Sequence, residues 1–117
     1  MKILIVSSEA VPYIKTGGLG DVAGIMAVKL SDRGHSVRLV LPLFRDIDVK
    51  RYNLKIVHHS LDVAMGDVVV KCRVWESFHS ECLQVYFIEY NEYFDRSPIY
   101  DDGKNEYKDN GARFAFF

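Results

Sequence analysis

The sequence predicts an α/β fold: a parallel sheet covered by helix and carrying a β-hairpin insertion. Three observations predict it. Ile3-Leu4-Ile5-Val6 is an unbroken aliphatic run without polar alternation, the pattern of a strand buried on both faces. Leu19, Val22, Ala23, Met26 and Leu30 recur at helical spacing, which predicts one apolar stripe turned to the core. Val37-Arg38-Leu39-Val40-Leu41 reads as a second strand, closed by Pro42. Strand, loop, helix and strand compose a βαβ unit. Its right-handed crossover sets the two strands parallel, with the helix on one face.

The first strand opens the chain. Residues 1–6 carry one cationic side chain, Lys2, and an apolar stretch too short for the core of a secretory leader. A loop from Ser7 to about Gly18 follows, with Pro12 and the pair Gly17-Gly18, and Gly34 supplies a stop for the helix. Beyond Pro42, residues 54–58, 67–75 and 83–89 are short β-rich runs, with turns expected at Met65-Gly66-Asp67 and at residues 77–81. Val68, Val70, Cys72 and Val74 alternate with Val69, Lys71 and Arg73, as in a half-buried strand. An antiparallel hairpin or β-insertion is therefore expected, then Val85-Tyr86-Phe87-Ile88 returning to the main sheet. Residues 91–108 read as a polar, aromatic loop. Asp109 or Asn110 is a suitable N-cap for a helix near Gly111. Arg113-Phe114-Ala115-Phe116-Phe117 gives that helix an apolar face with nothing after it to bury it, the reading of a fragment.

Composition narrows the function. The chain has 117 residues, 49% apolar and 26% charged, which fits one globular domain and excludes disorder and collagen-like repetition. No apolar run approaches the ~20 residues that cross a bilayer, so no membrane partner is expected. Fifteen Lys and Arg against sixteen Asp and Glu leave a net charge of -1, which argues against a dedicated nucleic-acid binder. A local patch for an anionic small molecule stays open. Cys72 and Cys82 lack CxxC spacing and read as reduced packing residues of a cytoplasmic protein. The four histidines and two cysteines show no metal-ligand spacing, and His58, His59 and His79 lie in or beside β-segments. Neither metal nor cofactor is expected.

The stretch with chemistry in it is Lys15-Thr16-Gly17-Gly18-Leu19-Gly20-Asp21-Val22, after the first strand and at the start of the first helix. Ligands of open parallel sheets bind beyond the carboxyl ends of the strands. A helix N-terminus there offers unpaired N–H groups suited to phosphate. Glycines let the backbone approach an anion, and Lys15 adds a mobile charge. Three readings compete. Gly18-x-Gly20-x-x-Ala23 matches a dinucleotide fingerprint literally, but a long loop intervenes before it and Leu41-Pro42-Leu43 stands where an acidic residue should hold the ribose. A P-loop needs its Lys-Ser/Thr pair after the glycines, whereas Lys15-Thr16 precede them. The third reading is a long loop around a sugar nucleotide. Against all three, the glycines could serve only tight helix–strand packing.

Ser8-Glu9-Ala10-Val11-Pro12-Tyr13-Ile14-Lys15-Thr16-Gly17-Gly18-Leu19-Gly20-Asp21-Val22 closely resembles the N-terminal signature of the bacterial and plant glycogen/starch synthases. The similarity continues through the strand ending Leu41-Pro42, through Tyr93-Phe94-Asp95-Arg96, and to Asp109-Asn110-x-x-Arg113-Phe114. Gly111-Ala112 departs mildly from the family's usual pairs.

The resemblance implies a Rossmann-like fold, the N-terminal part of a GT-B glycosyltransferase. Residues 1–117 would be an incomplete first domain, with the second GT-B domain absent from the chain. It further implies glucose transfer from ADP-glucose, or less often UDP-glucose, to the non-reducing end of an α-1,4-glucan, with retention and without a metal. Carried over by position, Lys15 and Gly18 match donor-binding residues, and Asp21 matches the motif acid beside the transferred glucose or the acceptor. Glu9, on the same loop, is a candidate for contact with glucan hydroxyls. Tyr93-Phe94-Asp95-Arg96 would border the acceptor groove or be a surface loop pinned by its aromatics. The catalytic histidine and the second-domain cations of the family would lie beyond Phe117. The expected location is the cytoplasm, or a plastid if the source is a plant. A nicotinamide-dependent oxidoreductase domain and a non-catalytic glucan-binding module are the alternatives.

Overall fold

The structure, a computed structural model, describes residues 1–117 and places five strands in one mixed sheet. The elements are β1 (Lys2–Val6), α1 (Gly18–Asp32), β2 (Ser36–Pro42), β3 (Lys55–Met65), β4 (Val68–Ser80), β5 (Leu83–Glu89), α2 (Asn91–Phe94) and α3 (Asn110–Phe116). Their order across the sheet is β1-β2-β5-β4-β3. β1, β2 and β5 are parallel, while β4 runs antiparallel to both β5 and β3. The expected βαβ unit and hairpin are both present. The hairpin is longer than its sequence pattern suggested: β4 continues to Ser80, through the stretch expected to turn at residues 77–81. Pairing of Ser77 with Val85 and of Phe78 with Gln84 explains the extension, since a neighbouring strand satisfies backbone groups whatever the local propensity.

The core sits where α1 crosses the parallel strands. Val37, Leu39 and Leu41 of β2 lie in register with Leu83, Val85 and Phe87 of β5, and all six are buried. α1 buries a face of small residues, Gly20, Ala23, Gly24, Ala27 and Ser31, with Gly20 and Gly24 against the loop that precedes it. The expected stripe is thus only partly right. Ala23 is buried, but Leu19 and Val22 are more than half exposed and Met26 nearly so. Small side chains let the helix approach its neighbours closely, and the bulkier apolar residues then point away. β1 departs from expectation in the same manner. As an edge strand it buries Ile5, whereas Leu4 and Val6 are largely exposed.

α1 ends as its sequence indicates. Gly34 has φ +83°, its N–H donates to Ser31 O at 2.9 Å, and His35 N–H donates to Leu30 O at 3.2 Å. That is a Schellman motif, and the glycine is what permits it. Cys72 is buried, Cys82 is half-buried, and both are free thiols. No helix is long and apolar enough to cross a membrane.

Candidate functional site

Residues 7–17 join β1 to α1 beyond the carboxyl end of the parallel strands. The segment is strapped to the fold. Tyr13 and Ile14 N–H donate to Ala10 O, and Tyr52 OH donates to Pro12 O at 2.8 Å. The buried Tyr13 ring meets Tyr52 and Phe87 edge-on, with centroids 4.8 and 5.2 Å away. Val11 N–H reaches Gly20 O on the helix at 3.0 Å. That bond needs Gly24, because a Cβ there would lie 2.3 Å from Val11 O and 2.8 Å from Val11 N.

Glu9 lies beneath the bend, 2% exposed. Its Oε1 accepts N–H bonds from Thr16, Gly17 and Gly20, each at 3.1 Å. Its Oε2 accepts from Thr16 Oγ1 and Tyr100 OH, both at 2.7 Å. Tyr100 spends its one hydroxyl proton on Glu9, so Ser8 Oγ must donate to Tyr100 OH at 2.6 Å. Burial alone would push the Glu9 carboxyl up. The hydrogen bonds from Thr16, Tyr100 and Gly17 outweigh it and hold the group at about 2, against its ordinary 4.5.

A pH dependence follows, because the folded value lies below the unfolded one. The stability from this carboxylate is complete above about pH 4.5 and is lost as pH falls toward 2. Its size is on the order of 3 kcal/mol. Urea unfolding at pH 7 and pH 3 should show more than half of that loss in the parent and a markedly smaller one in Glu9→Gln. Equal losses would refute it.

The remaining candidates are on the outer side. Lys15 Nζ pairs with Asp21 Oδ2 at 2.7 Å, with both side chains nearly half exposed. Gly18 is exposed, and a Cβ there would meet nothing within 4 Å. The Gly18 and Leu19 N–H groups have no acceptor within the chain, whereas those of Thr16, Gly17 and Gly20 are taken by Glu9. The structure therefore brings Lys15, Asp21 and Gly18 together at an open bend and turns Glu9 inward. None of the surface cavities is lined by these four residues. The largest, about 340 Å³, is an apolar depression lined by Val11, Pro12, Ile25, Val28 and Lys29 among others.

Three contributors escaped sequence reasoning: Gly24, Tyr100 and the inward role of Glu9. Gly24 follows Ala23 without a motif of its own. Tyr100 is 91 residues from Glu9, and no local pattern reports such a contact. Tyr93-Phe94-Asp95-Arg96 is held inside its own module. Phe94 is fully buried, Arg45 pairs with Asp95, and Arg96 grips the Asp109 carboxylate with two bonds of 2.7 Å. Asp109 is the N-cap of α3 by position, yet its side chain caps nothing because Arg96 has taken it. His58, His59 and His79 are exposed, and no histidine, cysteine or carboxylate cluster could hold a metal.

Three parallel strands with a glycine bend beyond the first of them make a Rossmann-like sheet, the open α/β architecture in which ligands lie beyond the carboxyl ends of the strands. The sequence profile of the starch synthase catalytic domain matches residues 2–117, and the chain belongs to that family. It is 40% identical over 117 residues to a glycogen synthase of Syntrophotalea carbinolica, covering 100% of this chain and 24% of the relative. It is likewise 40% identical over 118 residues to glycogen synthase 1 of Geobacter metallireducens, covering 99% and 24%. The chain thus spans about a quarter of the length of the curated relatives it matches. Among solved structures, the catalytic domain of starch synthase IV from Arabidopsis thaliana, bound to ADP and acarbose, shares the fold. The TM-score is 0.80 at 24% identity, over 97% of this chain and 23% of that one.

Proposed function

We propose that the chain is the incomplete first domain of a glycogen/starch synthase that works in the cytoplasm. The whole enzyme transfers glucose from ADP-glucose, with UDP-glucose as the other candidate donor, to the non-reducing end of an α-1,4-glucan with retention. One observation carries the reading: a lysine and two unpartnered N–H groups stand together at an open bend beyond a parallel strand, in a chain whose residues 2–117 match the family. Lys15 is the mobile cation for the diphosphate, and the Gly18 and Leu19 N–H groups are its fixed donors. A surface pair such as Lys15–Asp21 is worth about 0–1 kcal/mol, so a diphosphate can draw Lys15 away. Asp21 is then free to accept from a hydroxyl of the transferred glucose. Charge developing on the leaving diphosphate meets groups already in place, the arrangement that lowers a barrier most.

Residues 15–19 of the bend are exposed, so the 117 residues by themselves do not exclude water from the reacting bond. They should release no ADP from ADP-glucose and glycogen, and a measurable rate would refute the need for a second domain. In the full-length synthase, Lys15→Ala should lower kcat/KM for the donor by about a hundredfold, the loss of a charge-assisted bond to a diphosphate. Lys29→Ala, on the far part of α1, should change it by less than about twofold. Equal effects of the two substitutions would remove the phosphate role from Lys15.

A further inference from the structure

No other side chain accepts as many hydrogen bonds as Glu9, and none of its five donors is a cation. A buried carboxylate is normally balanced by Arg or Lys. Here the compensation comes from backbone dipoles, two hydroxyls and the positive end of α1. The three N–H groups on Oε1 come from both limbs of the bend: Thr16 and Gly17 before the helix, Gly20 in its first turn. One oxygen thereby sets the distance between the limbs. The bend needs that restraint. Gly17 and Gly18 have nothing within 4 Å of an added Cβ, and adjacent glycines lose more backbone freedom on ordering than any other pair.

We propose that Glu9 is a positioning residue: an internal anion that draws the limbs of the Lys15–Gly20 bend together and leaves the Gly18 and Leu19 N–H groups as the outward donors. This rests on the bend's being the donor site. Lys15 is set by the same contact. Its backbone flanks Gly20 so closely that a Cβ at Gly20 would lie 3.3 Å from Lys15 Cα and 3.1 Å from Glu9 Oε1. The carboxylate is fixed from behind as well, since Oε2 holds Tyr100 OH, which in turn accepts from Ser8. Because no cation neutralises Glu9, an arriving diphosphate has no buried ion pair to break. With its five bonds satisfied by the loop, the first turn of α1 and Tyr100, Glu9 serves the donor indirectly and leaves the glucan alone.

The chemistry distinguishes the variants. In Glu9→Gln the amide oxygen can keep the three N–H bonds, while its NH₂ donates to the Thr16 and Tyr100 hydroxyls, each able to accept. Glu9→Ala removes all five acceptor bonds, and Thr16→Val removes one donor without disturbing the backbone. In the full-length synthase, Glu9→Ala should raise the KM for ADP-glucose at least about tenfold while the glucan KM stays within about twofold. Amide exchange at Thr16, Gly17 and Gly20 should quicken at least about tenfold in the same variant. Glu9→Gln should recover the exchange protection and most of the donor KM. Thr16→Val should fall between, which keeps the proposal testable if Glu9→Ala fails to fold. Unchanged protection in Glu9→Ala, or in Thr16→Val where only that variant folds, would overturn the proposal. So would a rise in the glucan KM rather than the donor's. Loosened amides with an unchanged donor KM would instead sink the assignment of the bend to the donor.

Discussion

Gly24→Ala should destabilise this protein more than alanine at any of its other glycines. The new Cβ would sit 2.3 Å from Val11 O, 2.6 Å from Val11 Cγ2 and 2.8 Å from Val11 N. Two of those are backbone atoms, and the backbone has little room to retreat. Val11 N–H is bonded to Gly20 O, and the loop is pinned on either side through Ala10 O and Pro12 O. In an ordinary helix the substitution would gain about 1 kcal/mol from propensity. Here overpacking should turn that gain into a net loss of about 2–3 kcal/mol, lowering Tm by about 10 °C. Gly18→Ala is the control, since its Cβ enters open space at a backbone angle any residue adopts. It should melt within about 2 °C of the parent. If Gly24→Ala melted alongside it, the close approach of loop and helix would be wrong.

Arg113→Ala should be as damaging, for a different reason. The guanidinium is fully buried. Nε donates to Tyr93 O at 2.6 Å, and Nη1 donates to Ile99 O and Asn110 Oδ1, both at 2.8 Å. Tyr107, Phe114 and Phe94 surround it, with ring centroids 4.9, 5.4 and 5.8 Å from Cζ. Burial lowers its affinity for the proton, with the nearby Arg96 adding to the effect, yet an arginine stays charged. Truncation would leave two carbonyls without donors and a void beneath three rings, a cost of about 3–5 kcal/mol. Nη2 has no acceptor, so part of the native arrangement is already unfavourable and the net loss should lie toward the lower figure. Arg113→Lys should rescue little, because one ammonium cannot span both carbonyls. Loss of near-ultraviolet circular dichroism, from a cluster that includes Tyr93, Phe94 and Phe116, would report it. Full stability in Arg113→Lys would count against the fork geometry. Ile99 adjoins Tyr100, so loosening this module should also weaken the hold of Tyr100 on Glu9.

The parallel strands and the stop of α1 were legible because their signals are local. An unbroken aliphatic run, a helical period and a glycine at positive φ each act within a few residues. The bend was legible as a candidate for an allied reason: Lys15, Gly18 and Asp21 lie within seven consecutive positions. Two readings failed on packing. Leu19, Val22 and Met26 match the period of a buried stripe, but periodicity does not say which of two small-or-large faces meets the sheet. Close approach of loop and helix decided it in favour of Gly20, Ala23 and Gly24. Leu4 and Val6 likewise look buried in sequence, and an edge position leaves them bare.

By itself, then, the amino-acid order determined the βαβ start, the hairpin, the family and the residues of the proposed donor bend. Tertiary structure alone decided what each of those residues faces. Glu9 carries the chemistry of a surface ligand for sugar hydroxyls, and only the folded chain shows it turned inward to five donors, one of them 91 residues away. The physical reason is range. Backbone preference and hydrophobic period are written in neighbouring residues, whereas a carboxylate's partners are set by which distant donors the completed fold carries to it.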